Sequence, residues 1–272
     1  MAGKLEKWLP PAVITHLKPL LRHGVYYSGR FPDWETASKA ATGYDADLIL
    51  EQVKCSTLEV LAGRAVFERD SVLFEQVQHS FPVLAGLLRA AVENGGRLSV
   101  MDYGGALGSS YFQCRNFLDV LSVLSWNIVE QPHFVRCGRE AIVTEQLRFF
   151  FTVPEVLAET QPDVALLSSV LPYLPDPYAV LSELVQHNIK YLIIDRTPFA
   201  ETSTDVITVQ HVPASIYPAS YPCRIFNRQA LIARLAKRYE LVAEFASLDR
   251  SAVANGLNFD FGGMIFRIKD RN

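Results

Sequence analysis

The segment LSVMDYGGALGSSY, residues 98–111, ends an apolar run on Asp102 and follows it at once with Gly104, Gly105 and Gly108. A charge that closes a buried strand needs a partner. Glycines beside it let the backbone pass close to a ligand, because no side chain intervenes. Ser109 and Ser110 can cap the helix that follows. A dinucleotide turn would read G-x-G-x-x-G, and Gly104-Gly-Ala-Leu-Gly108 lacks the middle glycine in that register. An acid just before the turn repels a pyrophosphate and welcomes a cationic or amino-bearing ligand.

These residues must be held by strands and helices whose pattern changes along the chain. Before Gly96 the sequence reads mainly as helix, through WETASKAA, then GYDADLILEQVKCSTLEVL with Asp45 as a cap. A segment interrupted by Pro82 then ends at Asn94-Gly95-Gly96. After Gly96, apolar runs such as RLSVMDY, SWNIVE, LRFFFTV, DVALLSSVL and YLIIDRT alternate with helical stretches. Continuous Val/Ile/Leu runs between helices mark strands buried on both faces of a parallel sheet. The expectation is an α/β fold with a doubly wound, mostly parallel sheet, an antiparallel C-terminal strand and a helical N-terminal cap over residues 1–94. Residues 197–224 carry Pro198, Pro213, Pro218 and Pro222 and read as a long connecting insertion within a domain spanning 95–272.

Composition narrows the partners. With 26 Lys and Arg against 29 Asp and Glu, the formal charge is −3, and no basic face for nucleic acid is evident. Apolar runs fall far short of the ~18 residues of a membrane span, and the first residues lack a signal-peptide core. The four cysteines, Cys55, Cys114, Cys137 and Cys223, have neither zinc nor disulfide spacing, so no metal is expected. They read as buried free thiols of a cytoplasmic protein.

Asp102-Tyr-Gly104-Gly-Ala106-Leu-Gly108 resembles the first motif of the class I S-adenosylmethionine-dependent methyltransferases, with Ala106 at the middle glycine. The segment from Pro162 to Pro177 is similar to that family's D-x-x-x-x-x-x-V-L-x-x-L-x-D-P stretch. The WETA and GYD patterns of the leader, the WNIVEQ segment and ITVQHVP also resemble a narrower, little-characterised methyltransferase family with a helical leader. The resemblance implies a Rossmann-like methyltransferase domain binding S-adenosyl-L-methionine through Asp102, Gly104, Gly105, Gly108 and Glu130. Glu130 would hold the ribose hydroxyls, Gln131 would lie beside the adenine or face water, and Ser168 and Ser169 would face cofactor and substrate. The family's acid after the third strand is missing here, leaving Phe149 or Phe150 to pack the adenine.

Around such a centre, several residues have two readings each. His211 is a general base for a substrate hydroxyl, or a structural histidine. Asp195 and Arg196 are acid and substrate clamp, or a strand-end salt bridge. Tyr217 and Tyr221 line an acceptor pocket, or anchor their loop. Tyr111 flanks the cofactor or fills the core, and Trp34 and Tyr44 close over the site or pack the leader. The acceptor expected is a small molecule or a glycan precursor. The rival readings are a non-catalytic relative that keeps the cofactor pocket as a binding partner, and an NAD(P)-dependent oxidoreductase.

Overall fold

The computed structural model describes residues 24–43, 46–69, 71–142, 144–214 and 216–270. Tyr44, Asp45 and the segment before residue 24 lie outside them. The chain opens with β1 (Tyr26–Phe31), α1 (Trp34–Ala40), α2 (Ala46–Leu61), the hairpin β2 (Phe67–Arg69) to β3 (Val72–Phe74), and α3 (Phe81–Glu93). It continues as β4 (Arg97–Tyr103), α4 (Ser109–Leu118), β5 (Val123–Val129), α5 (Pro132–Ala141), β6 (Leu147–Phe150), α6 (Val153–Glu159) and β7 (Val164–Ser168). Then come α7 (Pro177–Gln186), β8 (Tyr191–Ala200), β9 (Val206–Val212), β10 (Ala219–Asn227), α8 (Arg228–Leu235), β11 (Tyr239–Ala246), β12 (Ala252–Ala254) and β13 (Leu257–Ile268).

Strands β6, β5, β4, β7 and β8 lie side by side and parallel, and β13 joins β8 antiparallel with β11 beyond it. The expected antiparallel finish is present. Alternate residues of each strand feed two separate cores. Val164, Leu166, Tyr191 and Ile193 pack with α2, α3, α4 and α5. Ala165, Leu167, Leu192 and Ile194 pack with α6, α7 and α8. Strand order reverses between β4 and β7, the place where open α/β sheets form a binding crevice at the carboxyl ends of their strands.

Beyond the parallel core the pairings close on themselves. β8 pairs with β13, β13 with β12, β12 with β1, β1 with β9, β9 with β10, and β10 with the end of β8. This ring has its own core of Tyr27, Ala200, Cys223, Ile225, Ala254 and Phe259. Helix α1 covers its outer face, with Ala37 against Ile207 and Val209. Asp33 caps α1, its Oδ1 accepting from the Thr36 backbone N–H at 2.7 Å.

Three expectations need correction. The leader is not purely helical: β1 belongs to the ring, and β2 and β3 form a separate two-stranded sheet. Pro82 does not split a helix but sits in the first turn of α3, where its missing N–H is unneeded. Residues 197–224 are not a loop but the end of β8, all of β9 and most of β10. Pro198 and Pro222 fall where their strands are paired on one side only, the setting that tolerates a residue without an N–H.

Among the described residues no helix is long and apolar enough to cross a membrane, and no cluster of His, Cys, Asp and Glu has metal-binding geometry. Of the four cysteines, Cys114, Cys137 and Cys223 are buried as expected, whereas Cys55 is exposed.

Candidate functional site

Asp102 is the next-to-last residue of β4 and is 1% exposed. The chain then turns sharply, with Gly104, Ala106 and Gly108 all at positive φ (73°, 49° and 102°) before α4 begins at Ser109. Ala106 stands in a conformation that costs an L-residue about 1–2 kcal/mol, which gives the physical reason for a glycine there in the motif. Gly105 is needed on different grounds. A Cβ on it would lie 2.6 Å from Asp102 Cγ and Oδ2, so the carboxylate is folded directly beneath the turn.

Trp126, fully buried on β5, donates its Nε1–H to Asp102 Oδ2 at 3.0 Å. Asp102 Oδ1 has no hydrogen-bond partner among the described residues. Burial pushes the carboxyl up to about 7; the Trp126 hydrogen bond opposes this and nearby Glu130 adds to it.

Glu130 follows the end of β5 and is half-buried. Its carboxylate accepts the backbone N–H groups of Gln131 and Ala106, which ties the end of β5 to the glycine turn. Desolvation raises its pKa, with both N–H groups opposing. Gln131 is exposed at the N-cap of α5. Phe149 and Phe150 are buried in opposite cores.

On the other side of the crevice, Ser168 ends β7 opposite Asp195 of β8. Asp195 is 4% exposed, its Oδ1 has no hydrogen-bond partner among the described residues, and burial raises it to about 6. Arg196 takes a left-handed φ of 51° and grips Asp249 through Nε at 2.8 Å and Nη2 at 3.2 Å. Ser169 is likewise left-handed, at φ 58°. Ala106, Ser169 and Arg196 thus place backbone strain just past β4, just past β7 and at the point where β8 outruns β7, the pattern of a functional site.

The hairpin of β2 and β3 leans over this edge. Ser109 Oγ, at the start of α4, donates to the buried Glu68 carboxylate. Arg69, Ser109, Gln113, Ser168, Asp195 and Arg196 share the lining of one cavity of about 30 Å³.

The remaining candidates lie elsewhere. His211 is on the face of β9 that α1 covers, stacked on Tyr26 at 4.4 Å with Nε2 2.7 Å from Ser28 Oγ. Gln210, on the opposite face, accepts from Tyr173 Oη at 2.9 Å and donates to Tyr221 Oη at 3.3 Å. Tyr217 packs against the core formed with α2 to α5. Tyr111 is core, its hydroxyl donating to Gln146 at 2.9 Å. Trp34 packs outside the ring under the Arg224 guanidinium, 5.8 Å from its centroid. Sequence reasoning missed Trp126, Glu68 and Asp249. Glu68 and Asp249 reach the site from distant parts of the chain and carry no local motif, whereas Trp126 opens the WNIVEQ segment but meets Asp102 only through the sheet.

No family model matches the chain, and no curated protein matches it. Among solved structures it is similar to the N-terminal domain of EvdMO1 with SAH and D-fucose, at 16% identity over 83% of this chain and 98% of that one, TM-score 0.45. It is similar to the Burkholderia thailandensis 1,6-didemethyltoxoflavin-N1-methyltransferase with bound 1,6-didemethyltoxoflavin and S-adenosylhomocysteine, at 18% identity over 85% and 93% of the chains, TM-score 0.40. It is also similar to the N-methyltransferase NodS of Bradyrhizobium japonicum WM9 in complex with S-adenosylhomocysteine, at 14% identity over 79% and 100%, TM-score 0.43.

Proposed function

We propose that the chain is a methyltransferase using S-adenosyl-L-methionine, in a Rossmann-like domain, on a small-molecule or glycan-precursor acceptor. The observation that carries this reading is the carboxylate of Asp102, buried under a glycine turn with one oxygen unpartnered among the described residues. A diphosphate laid on that turn would face this acid in a low-dielectric setting, where like charges repel strongly. An ammonium group finds a counter-ion there instead. The residues present therefore suit a donor with a cationic amino-acid end.

When bound, S-adenosyl-L-methionine supplies an electrophilic methyl on a sulfonium. The chain's part is to bind and orient. Gly104, Gly105 and Gly108 keep the turn clear of side chains, Asp102 takes the amino group, and Glu130 accepts two hydrogen bonds from a vicinal diol. Glu130 already accepts two backbone N–H groups, so the diol would share or replace these. Gln131, exposed beside Glu130, is free of the core and available to the adenine edge. Ser168, Asp195 and Arg196 then face the acceptor side of the crevice. Methyl transfer is an in-line displacement, for which positioning and exclusion of water supply much of the rate. His211, bound up with Tyr26 and Ser28 in the ring, braces β1 against β9 in this reading, and Tyr221 and Tyr217 hold the ring to the domain. We place the protein in the cytoplasm, without nucleic-acid or membrane partners.

Calorimetric titration tests the assignment. S-adenosylhomocysteine is expected to bind with one-to-one stoichiometry and NAD(H) to give no heat. Binding of NAD(H) without S-adenosylhomocysteine would overturn it in favour of an oxidoreductase.

A further inference from the structure

The cavity beside Asp195 is a subsite in its own right. Two residues beyond the paired Asp102 and Leu166, Gly104 falls level with Ser168, and Ser168 is paired with Asp195. Gly104, Ser168 and Asp195 therefore form a row just past β4, at the end of β7 and midway along β8, where β8 outruns β7. At the ~4.8 Å spacing of strands, Asp195 is about 10 Å from the glycine turn. A donor whose amino-acid end rested on that turn would carry its sulfonium toward Asp195.

Asp195 continues the face of β8 that carries Tyr191 and Ile193, the face packed by α4. Its carboxylate lines the cavity together with Ser109, Gln113 and Ser168. It is 4% exposed, and Oδ1 has no hydrogen-bond partner among the described residues. A buried carboxylate oxygen left this way calls for a donor. The neighbouring Arg196 is engaged by Asp249 through two bonds. The cavity of about 30 Å³ has space for a water, a hydroxyl or an amino group.

We propose that Asp195 accepts the hydrogen of the methyl acceptor, so that the acceptor is an alcohol or an amine and the cavity is the seat of its reacting group. This rests on the donor binding as described above. In the transfer, a lone pair of the acceptor oxygen or nitrogen bonds the methyl carbon and the S–C electron pair returns to sulfur. The acceptor's proton passes to the Asp195 carboxylate. An acceptor that is already ionised, such as a carboxylate, would give Asp195 no hydrogen to take.

Sinefungin tests this without knowledge of the acceptor, because it carries an amine where the donor carries its transferable methyl. Titrated into the full chain, sinefungin should bind about tenfold more tightly than S-adenosylhomocysteine, as a charge-assisted hydrogen bond provides. Asp195→Asn should abolish that preference and leave the S-adenosylhomocysteine affinity unchanged. If S-adenosylhomocysteine binds but the wild type shows no preference for sinefungin, the role of Asp195 is overturned, and this arm needs no variant. A preference that survives in Asp195→Asn overturns it equally. If neither compound binds, the donor assignment itself fails and the inference fails with it.

Discussion

Trp126 on β5, level with Val100, reaches diagonally to Asp102 on the neighbouring β4, joined by a 3.0 Å hydrogen bond from the indole N–H to Oδ2. This bond holds Oδ2, the carboxylate oxygen that lies nearest Gly105, and leaves Oδ1 without a partner among the described residues. The indole thus orients the acid that would receive the donor's amino group.

The first prediction concerns pH. Folding raises Asp102 to about 7 and Asp195 to about 6, above their unfolded values near 3.9. The folded state then holds more protons than the unfolded state between about pH 4 and 7, so stability falls as pH rises through that window. Thermal unfolding should show a lower Tm at pH 8 than at pH 5.5, and Asp102→Asn should flatten the slope. Binding of an ammonium to the ionised Asp102 runs the other way. S-adenosylhomocysteine affinity should rise as pH climbs from 6 to 8, and a flat profile would separate Asp102 from the ligand.

The turn gives a paired test. Gly105→Ala drives a Cβ to within 2.6 Å of the Asp102 carboxylate, which is buried and cannot swing away. About 1–3 kcal/mol of stability should be lost, with S-adenosylhomocysteine binding impaired. Ala106→Gly relieves a left-handed alanine and should be neutral or stabilising by up to about 1 kcal/mol. Denaturant unfolding of both variants checks the opposite signs.

Much of this is legible in the sequence. The acid, the glycines, Glu130 and the rhythm of β4 to β8 are local patterns, and the structure lines them up at one edge. The ring was not legible. Pro198 and Pro222 read as loop punctuation because sequence cannot show that their strands are paired on one side only. VYYSGRF has strand-forming residues, but the helices that follow it masked β1. Trp126 is 24 residues from Asp102, and only sheet register makes them neighbours.

Glu130→Ala should weaken S-adenosylhomocysteine binding by about 1–3 kcal/mol, the value of hydrogen bonds to a charged group. It also removes the clasp on the Ala106 N–H, so hydrogen exchange at Ala106 should accelerate even without ligand. Unchanged affinity in a titration would remove Glu130 from the site.

At the opposite end of the sheet, Glu93 meets Lys190 at 2.9 Å, Arg267 at 3.4 Å and the Tyr191 hydroxyl at 2.6 Å. The Tyr191 hydrogen bond, then Lys190 and Arg267, hold its carboxyl down to about 2. A depressed acid contributes stability above its unfolded pKa that disappears as pH falls from about 4.5 toward 2. Glu93→Gln should lower Tm modestly at pH 7 and leave less to lose in acid, which an acid-unfolding curve reads directly.

The ring makes the start of the chain responsible for protecting its middle and its end. β1 fills the gap between β9 and β12, contacting one antiparallel and the other parallel. Deleting residues 24–31 would uncover two strand edges at once, each a template for pairing with another molecule. Such a truncation should show itself first as self-association, ahead of any loss in the parallel core that carries the glycine turn.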